Sequence, residues 1–166
     1  MTGGALALVY REAEYGLELI DRSLVIDPNS AMAWVTRGVV YSWVGRGDEG
    51  VVAIEKAMRL SPLDPLMFMF WHCMAECYTV LRKHELAVKA SLRALREAPN
   101  PLPSTYRILA GSYARLGCIH EARAAVKQHL ALTPNFTVTR WLDTTAKLPQ
   151  YRPYGAESLR LAGFPE

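Results

Sequence analysis

At 166 residues, 51% of them hydrophobic and 21% charged with a formal charge of +3, the chain has the composition of a globular domain and not of a disordered one. Its longest apolar stretch, Leu66 to Ala75, is interrupted by His72 and falls far short of the roughly 20 residues that a membrane span needs. Three cysteines make no disulfide framework, and the N-terminus lacks the positive charge that opens a secretory signal, so a reducing, cytoplasmic setting is expected.

In chain order, the first expected unit is a partial helical repeat over residues 3–27, with a short helix at Gly4 to Tyr10 and a longer one at Ala13 to Ile26. Residues 4–10 are almost wholly apolar and offer about two turns, so this unit is incompletely covered by the chain that follows it. Three full helix pairs are expected at 31–64, 65–101 and 103–135, each with a tight turn near Gly45, Arg82 or Gly117. Asp48 and Ser104 are candidate helix caps. The segments Asp27-Pro28-Asn29-Ser30, Ser61-Pro62, Ala98-Pro99-Asn100-Pro101 and Thr133-Pro134-Asn135 separate the pairs, because proline lacks a donor and disfavours helix in the residue before it. Beyond Pro134 the expectation is a helix near Phe136 to Ala146, a Pro/Tyr-rich connection at Leu148 to Gly155 and a last helix at Ala156 to Ala162, which together read as a C-terminal helical cap over 136–166. Strand-like alternation is absent, and the chain reads as one all-α domain over 1–166.

The prolines Pro28, Pro62, Pro99 and Pro134 are spaced by 34, 37 and 35 residues. Aligned on them, Trp34, Trp71 and Tyr106 share one position, Gly38, Ala75 and Ala110 another, and Tyr41, Tyr78 and Tyr113 a third. Gly16, Gly50, Ala87 and Ala122 share a position in the helix that follows. Small residues let an antiparallel pair approach to roughly 8–10 Å, and aromatics seven apart lie on one helical face. In this order of aromatic, small and proline residues the sequence resembles the tetratricopeptide repeat family. The resemblance implies an α-solenoid of antiparallel helix pairs in a right-handed superhelix. The 37-residue spacing places three extra residues within Leu63 to Met69, assigned to a lengthened start of the helix carrying Trp71. The terminus Leu161-Ala162-Gly163-Phe164-Pro165-Glu166 looks like the end of the C-terminal repeat regions of bacterial multidomain signalling proteins, nucleotide-cyclase-like or transcriptional-regulator-like.

In such a fold, function falls on the concave groove that the first helices present. The groove offsets give Met32, Val35, Val39 and Ser42, then Met69, His72, Glu76 and Thr79, then Ser104, Arg107, Gly111 and Ala114. With Arg107 and Arg115 as the only basic candidates and no Asn at these offsets, the Lys/Asn clamp by which some members of the family grip a terminal carboxylate is missing. The apolar first third suits a helical or extended segment of a protein or peptide partner. The alternatives are a self-associating structural domain whose groove is filled by its own tail, or a C-terminal fragment of a multidomain enzyme such as a nucleotide cyclase. No catalytic constellation stands out, and no cofactor is implied: Gly45-Arg46-Gly47 lacks the strand context of a phosphate loop. Cys73 and Cys77 lie four apart beside His72, but Cys77 falls where the repeat wants a small residue, so no metal is assigned. His129 sits where earlier repeats are small, a position that faces the junction with the cap. Residues 1–64 hold nine acids and six bases, and residues 65–166 seven acids and thirteen bases. A basic stripe, Arg82, Lys83, Lys89, Arg93 and Arg96, lacks the interleaved exposed aromatics that nucleic acid would want and reads as a solvated face. The charge asymmetry instead fits a homo-oligomer through the N-terminal partial repeat.

Overall fold

The computed structural model describes residues 3–145 and 151–166, with side chains described from residue 12. Among the described residues the chain is entirely helical, and its helices are α1 (Gly3–Ile26), α2 (Ala31–Trp43), α3 (Gly47–Leu60), α4 (Met67–Val80), α5 (His84–Glu97), α6 (Pro103–Arg115), α7 (Ile119–Leu132), α8 (Val138–Thr144) and α9 (Arg152–Ala162). The helices α2 with α3, α4 with α5, and α6 with α7 pack as pairs, and each pair stacks on the next to form a solenoid. Each pair turns through a residue of positive φ: Gly45 at 83°, Arg82 at 57° and Gly117 at 78°. This left-handed backbone ends the first helix of the pair and is easy for glycine, whereas Arg82 adopts it against its own Cβ.

The small residues lie at the helix crossings. A Cβ on Gly38 would meet Ile54 Cγ1 at 2.5 Å and the Gly50 carbonyl at 3.0 Å, and one on Gly50 would meet Cys77 Sγ at 2.6 Å. The alanines that replace them in later pairs, Ala75, Ala87, Ala110 and Ala122, are wholly buried. Around these crossings a central core joins α2 to α6 through Val35, Ile54, Phe70, Met74 and Ile108. A second core joins α6 and α7 to the tail through Leu109, Val126, Trp141, Leu159 and Phe164. A small cluster of Leu17, Val40 and Tyr41, with Ala13 and Ile20, lies between α1 and α2, and Arg37 pairs with Asp21 across the same contact at 3.2 Å.

Four expectations are corrected. The helices at Gly4 to Tyr10 and Ala13 to Ile26 are one continuous helix, because no proline or left-handed glycine interrupts residues 5–15. The extra residues before Trp71 fall mainly in the connection: 61–66 is two residues longer than 27–30, and α4 begins one residue earlier relative to Trp71 than α2 does relative to Trp34. Asp48 lies within the first turn of α3, where it favours the helix dipole and not the cap, and Ser104 lies inside α6. The capping side chains are Ser30, which accepts from Ala33 N, and Thr137, which accepts from Arg140 N. Finally, α9 starts at Arg152 and not at Ala156, since Pro153 falls in the first turn, where a missing N–H costs nothing. The expected end of the preceding helix at Ala146 and the start of the connection at Leu148 lie outside the described residues.

The tail is bound back onto the stack. Val138 N donates to the Pro165 carbonyl at 2.8 Å, and the Arg152 guanidinium donates to the Leu142 and Thr145 carbonyls at the end of α8. Phe164 packs with Phe136 and with the ring of His129. A regular next helix would lie mainly on α7, as α4 lies on α3 and α6 on α5. Instead α9 lies chiefly on α6, the inner helix of the last pair.

Candidate protein-binding groove

The inner face is built by α2, α4 and α6, and its character changes along the stack. On α2, Met32 is exposed and Val39 half-buried, whereas Val35 and Ser42 are buried. Val35 belongs to the central core, and the Ser42 hydroxyl donates to the Val39 carbonyl at 2.8 Å, so neither presents a free surface. On α4, Met69, His72, Glu76 and Thr79 are all half-buried. Thr79 Oγ1 donates to the Glu76 carbonyl at 2.7 Å within the helix.

Between α4 and α6 the polar positions come together. His72 Nδ1 lies 2.9 Å from Thr105 Oγ1, and Ser104 Oγ lies 3.4 Å from His72 Nε2. Arg107 donates to Glu76 at 3.1 Å, and both side chains are 15% exposed. At that burial the pair is screened less than a surface salt bridge and fixes the spacing of the two helices. The Arg107 guanidinium also lies 5.6 Å from the Trp141 ring on α8. Gly111 is buried because α9 crosses it, and a Cβ there would meet Ser158 Cβ at 3.4 Å. Ala114 is buried as well.

The tail brings in residues that the groove offsets did not select. Arg115, at the C-terminal end of α6, donates to Ser158 Oγ at 2.8 Å, to the Tyr154 carbonyl at 3.1 Å and to Glu157 at 2.7 Å. The Arg115 and Arg82 guanidiniums lie 3.9 and 4.4 Å from the Tyr154 ring. His84 Nε2 lies 2.7 Å from Tyr154 Oη, and burial, followed by Arg115 and Arg82, lowers the pKa of that imidazole. Tyr151 reaches farther, to the turn at Gly45. The sequence signal for these contacts was the pair of tyrosines before Gly155, which read as a connection.

Two other groups resolve into packing. Cys73 and Cys77 are buried in the central core, Cys77 Sγ donates to the Gly38 carbonyl at 3.7 Å, and burial, with Glu76 nearby, pushes the Cys73 thiol up to about 12. Among the described residues no three His, Cys, Asp or Glu side chains gather as metal ligands would. The basic stripe is dispersed: Lys83 pairs with Asp48 at 3.4 Å, Arg93 pairs with Glu97 and lies over Trp71, and Arg82 turns to the tail.

The first comparison with known proteins is with Tetratricopeptide repeat protein 37 of Xenopus laevis, to which the chain is 30% identical over 76 residues, 46% of this chain and 5% of that protein. A solved structure of MamA matches across 98% of this chain and 93% of its own, at 16% identity and a TM-score of 0.65. The chain has the fold of a tetratricopeptide-repeat solenoid. A second MamA structure matches at TM-score 0.62 with 15% identity over 97% and 91% of the two chains, and a MamA RS-1 ArsTM double mutant at 0.63 with 14% identity over 96% and 97%. At these identities the structural likeness concerns the fold alone. No protein-family profile matches the chain. The chain spans about a twentieth of the Xenopus protein's length. No helix among its described residues is long and apolar enough to cross a membrane. The likeness to bacterial signalling proteins, read from Leu161 to Glu166, has no counterpart in these comparisons; in the structure this segment anchors the tail through Phe164 and Pro165.

Proposed function

We propose that the chain is a non-catalytic protein-interaction module that binds a helical or extended segment of a partner along the apolar part of its inner face, on α2 and the start of α4. The observation that carries this reading is α9 itself: an apolar-faced helix lies along α6 over the small residue Gly111, which is the helix-in-groove arrangement a partner would repeat one unit earlier. Met32 and Val39 continue that face, and Met32 is 43% exposed. A regulatory or assembly role in a cytoplasmic setting belongs to the same proposal.

The test is selection of helical peptides against the whole chain, followed by binding to variants. Met32→Glu together with Met69→Glu places charge in the apolar face and is expected to weaken selected peptides by about tenfold or more. Val52→Glu, on an exposed face of α3, is expected to leave them unchanged. Peptides indifferent to the Met32/Met69 pair would remove the groove from the reading.

A second reading, self-association, is favoured by α1. Tyr15, Leu19 and Ile26 fall on one helical stripe and are 60%, 45% and 86% exposed. In that reading the tail fills the groove over α6, and copies of the chain meet through the N-terminal unit.

A further inference from the structure

The tail does not close fully on the inner face. Between α9, α8 and the facing helices α4 and α6 lies a cavity of about 170 Å³, comparable with the ~150 Å³ cavity that takes up benzene in a protein core. One side is apolar, formed by Trp141, Ile108 and Leu159. The other carries Arg82, Arg107 and His84, against a single carboxylate, Glu76, which is already engaged by Arg107 at 3.1 Å. Among the described residues Arg82 has no carboxylate within ion-pair distance; its guanidinium lies only over the Tyr154 ring.

Two residues at its wall carry a polar atom that is buried without a partner. Ser112 is 1% exposed and its Oγ has no hydrogen-bond partner, and the same is true of His84 Nδ1. An unmet buried donor destabilises a structure unless water or a ligand meets it. Two guanidinium groups against one carboxylate, beside an aromatic wall, together describe a receptor for a compact anion with an apolar body.

We propose that the cavity under α9 binds a small aromatic monocarboxylate of benzoate size, with its carboxylate toward Arg82 and its ring against Trp141 and Ile108. The ligand would touch α4, α6, α8 and α9 at once, so its binding holds the tail in place. This site lies beneath the tail and is separate from the open face assigned to a protein partner.

The experiment is calorimetric titration of the full chain with benzoate and phenylacetate, with benzamide and benzylamine as neutral and cationic controls. Saturable binding of the carboxylates below about 10 mM is expected, at least about tenfold tighter than the controls, with a rise in Tm on saturation. Arg82→Gly removes the guanidinium at a position whose φ of 57° suits glycine, and is expected to cost about tenfold in carboxylate affinity with the helical fold retained. Thr79→Leu fills the cavity from α4 and is expected to abolish binding; the Thr79 hydroxyl bonds only a carbonyl of its own helix, so its loss leaves no orphaned donor. The absence of saturable carboxylate binding would mean that the cavity holds water only, and would overturn the proposal. So would equal affinity for benzamide, or affinity that neither substitution changes.

Discussion

Gly16 and Gly50 occupy the same position in the repeat, yet their surroundings are opposite. A Cβ on Gly50 would meet Cys77 Sγ at 2.6 Å and the Gly38 carbonyl at 3.0 Å, whereas one on Gly16 would meet nothing within 4 Å. The small residue is required only where a second helix crosses, and α1 has no such partner on that side among the described residues. Substitution by alanine therefore has opposite signs at the two sites. Gly16→Ala is expected to stabilise by about 0.5–1 kcal/mol, because alanine loses less backbone entropy in a helix. Gly50→Ala is expected to destabilise by about 1–3 kcal/mol, because the backbone on one side of the new methyl group cannot yield. Urea denaturation of both variants gives the comparison, and two shifts of the same sign would show that the α2–α3 crossing is not the constraint described here.

At the level of elements, the junction of α7 with the tail turns on His129. Its Nδ1 donates to the Pro103 carbonyl at 2.7 Å, its ring meets Phe136 and Phe164 edge-on at 4.5 and 5.1 Å, and its Nε2 is buried without a partner. Burial, with a smaller push from Arg107, lowers its pKa in the folded state. A histidine whose pKa is lower folded than unfolded binds a proton more readily in the unfolded chain, so stability is lost as pH falls below the unfolded value of about 6.5. His84 acts in the same direction. Unfolding free energy is expected to fall as pH drops through and below about 6.5, and His129→Leu to flatten that slope while lowering stability at neutral pH; an unchanged slope would exclude His129 as a source. The sequence foreshadowed this junction because His129 stood where earlier repeats are small. The helices α2 to α7 were legible for a similar reason: proline and a left-handed turn residue mark their ends. The continuity of α1 was missed because two helices of one partial repeat were expected where no residue breaks a helix, and the start of α9 because Pro153 was read as loop although it suits a first helical turn. In the groove, the offsets named residues helix by helix, and the structure brings Glu76 to Arg107 and His72 to Ser104 across α4 and α6, a pairing the offsets did not contain. The burial of Val35, Ser42 and Gly111 depends on tilt and on a tail docked from more than 40 residues away, neither of which a local pattern contains.

For the whole molecule, the two ends differ in both apolar exposure and charge, and this decides how copies would meet. The stripe of Tyr15, Leu19 and Ile26 can bury on the order of 400 Å², about half of the ~800 Å² per partner found in stable complexes. Self-association through it is therefore expected to be weak, with a solution mass near the 18.6 kDa monomer when dilute and rising with concentration. Salt then separates the two geometries. If the stripe meets its own copy, the exposed Glu12 and Glu14 face like charges, while Glu18 and Asp21 are paired with Arg22 and Arg37, and screening this repulsion strengthens association. If the stripe meets the basic end of the next copy, acids face bases, and the same screening weakens it. The excess of thirteen bases over seven acids in residues 65–166 favours the head-to-tail arrangement, so light scattering is expected to show a mass that falls as salt is raised. Leu19→Lys should remove the concentration dependence, since it charges the centre of the stripe while adding no clash to the cluster around Leu17. A mass that rises with salt would mean stripe-on-stripe pairing, and a monomer at every concentration and ionic strength would leave the inner face as the surface for partners.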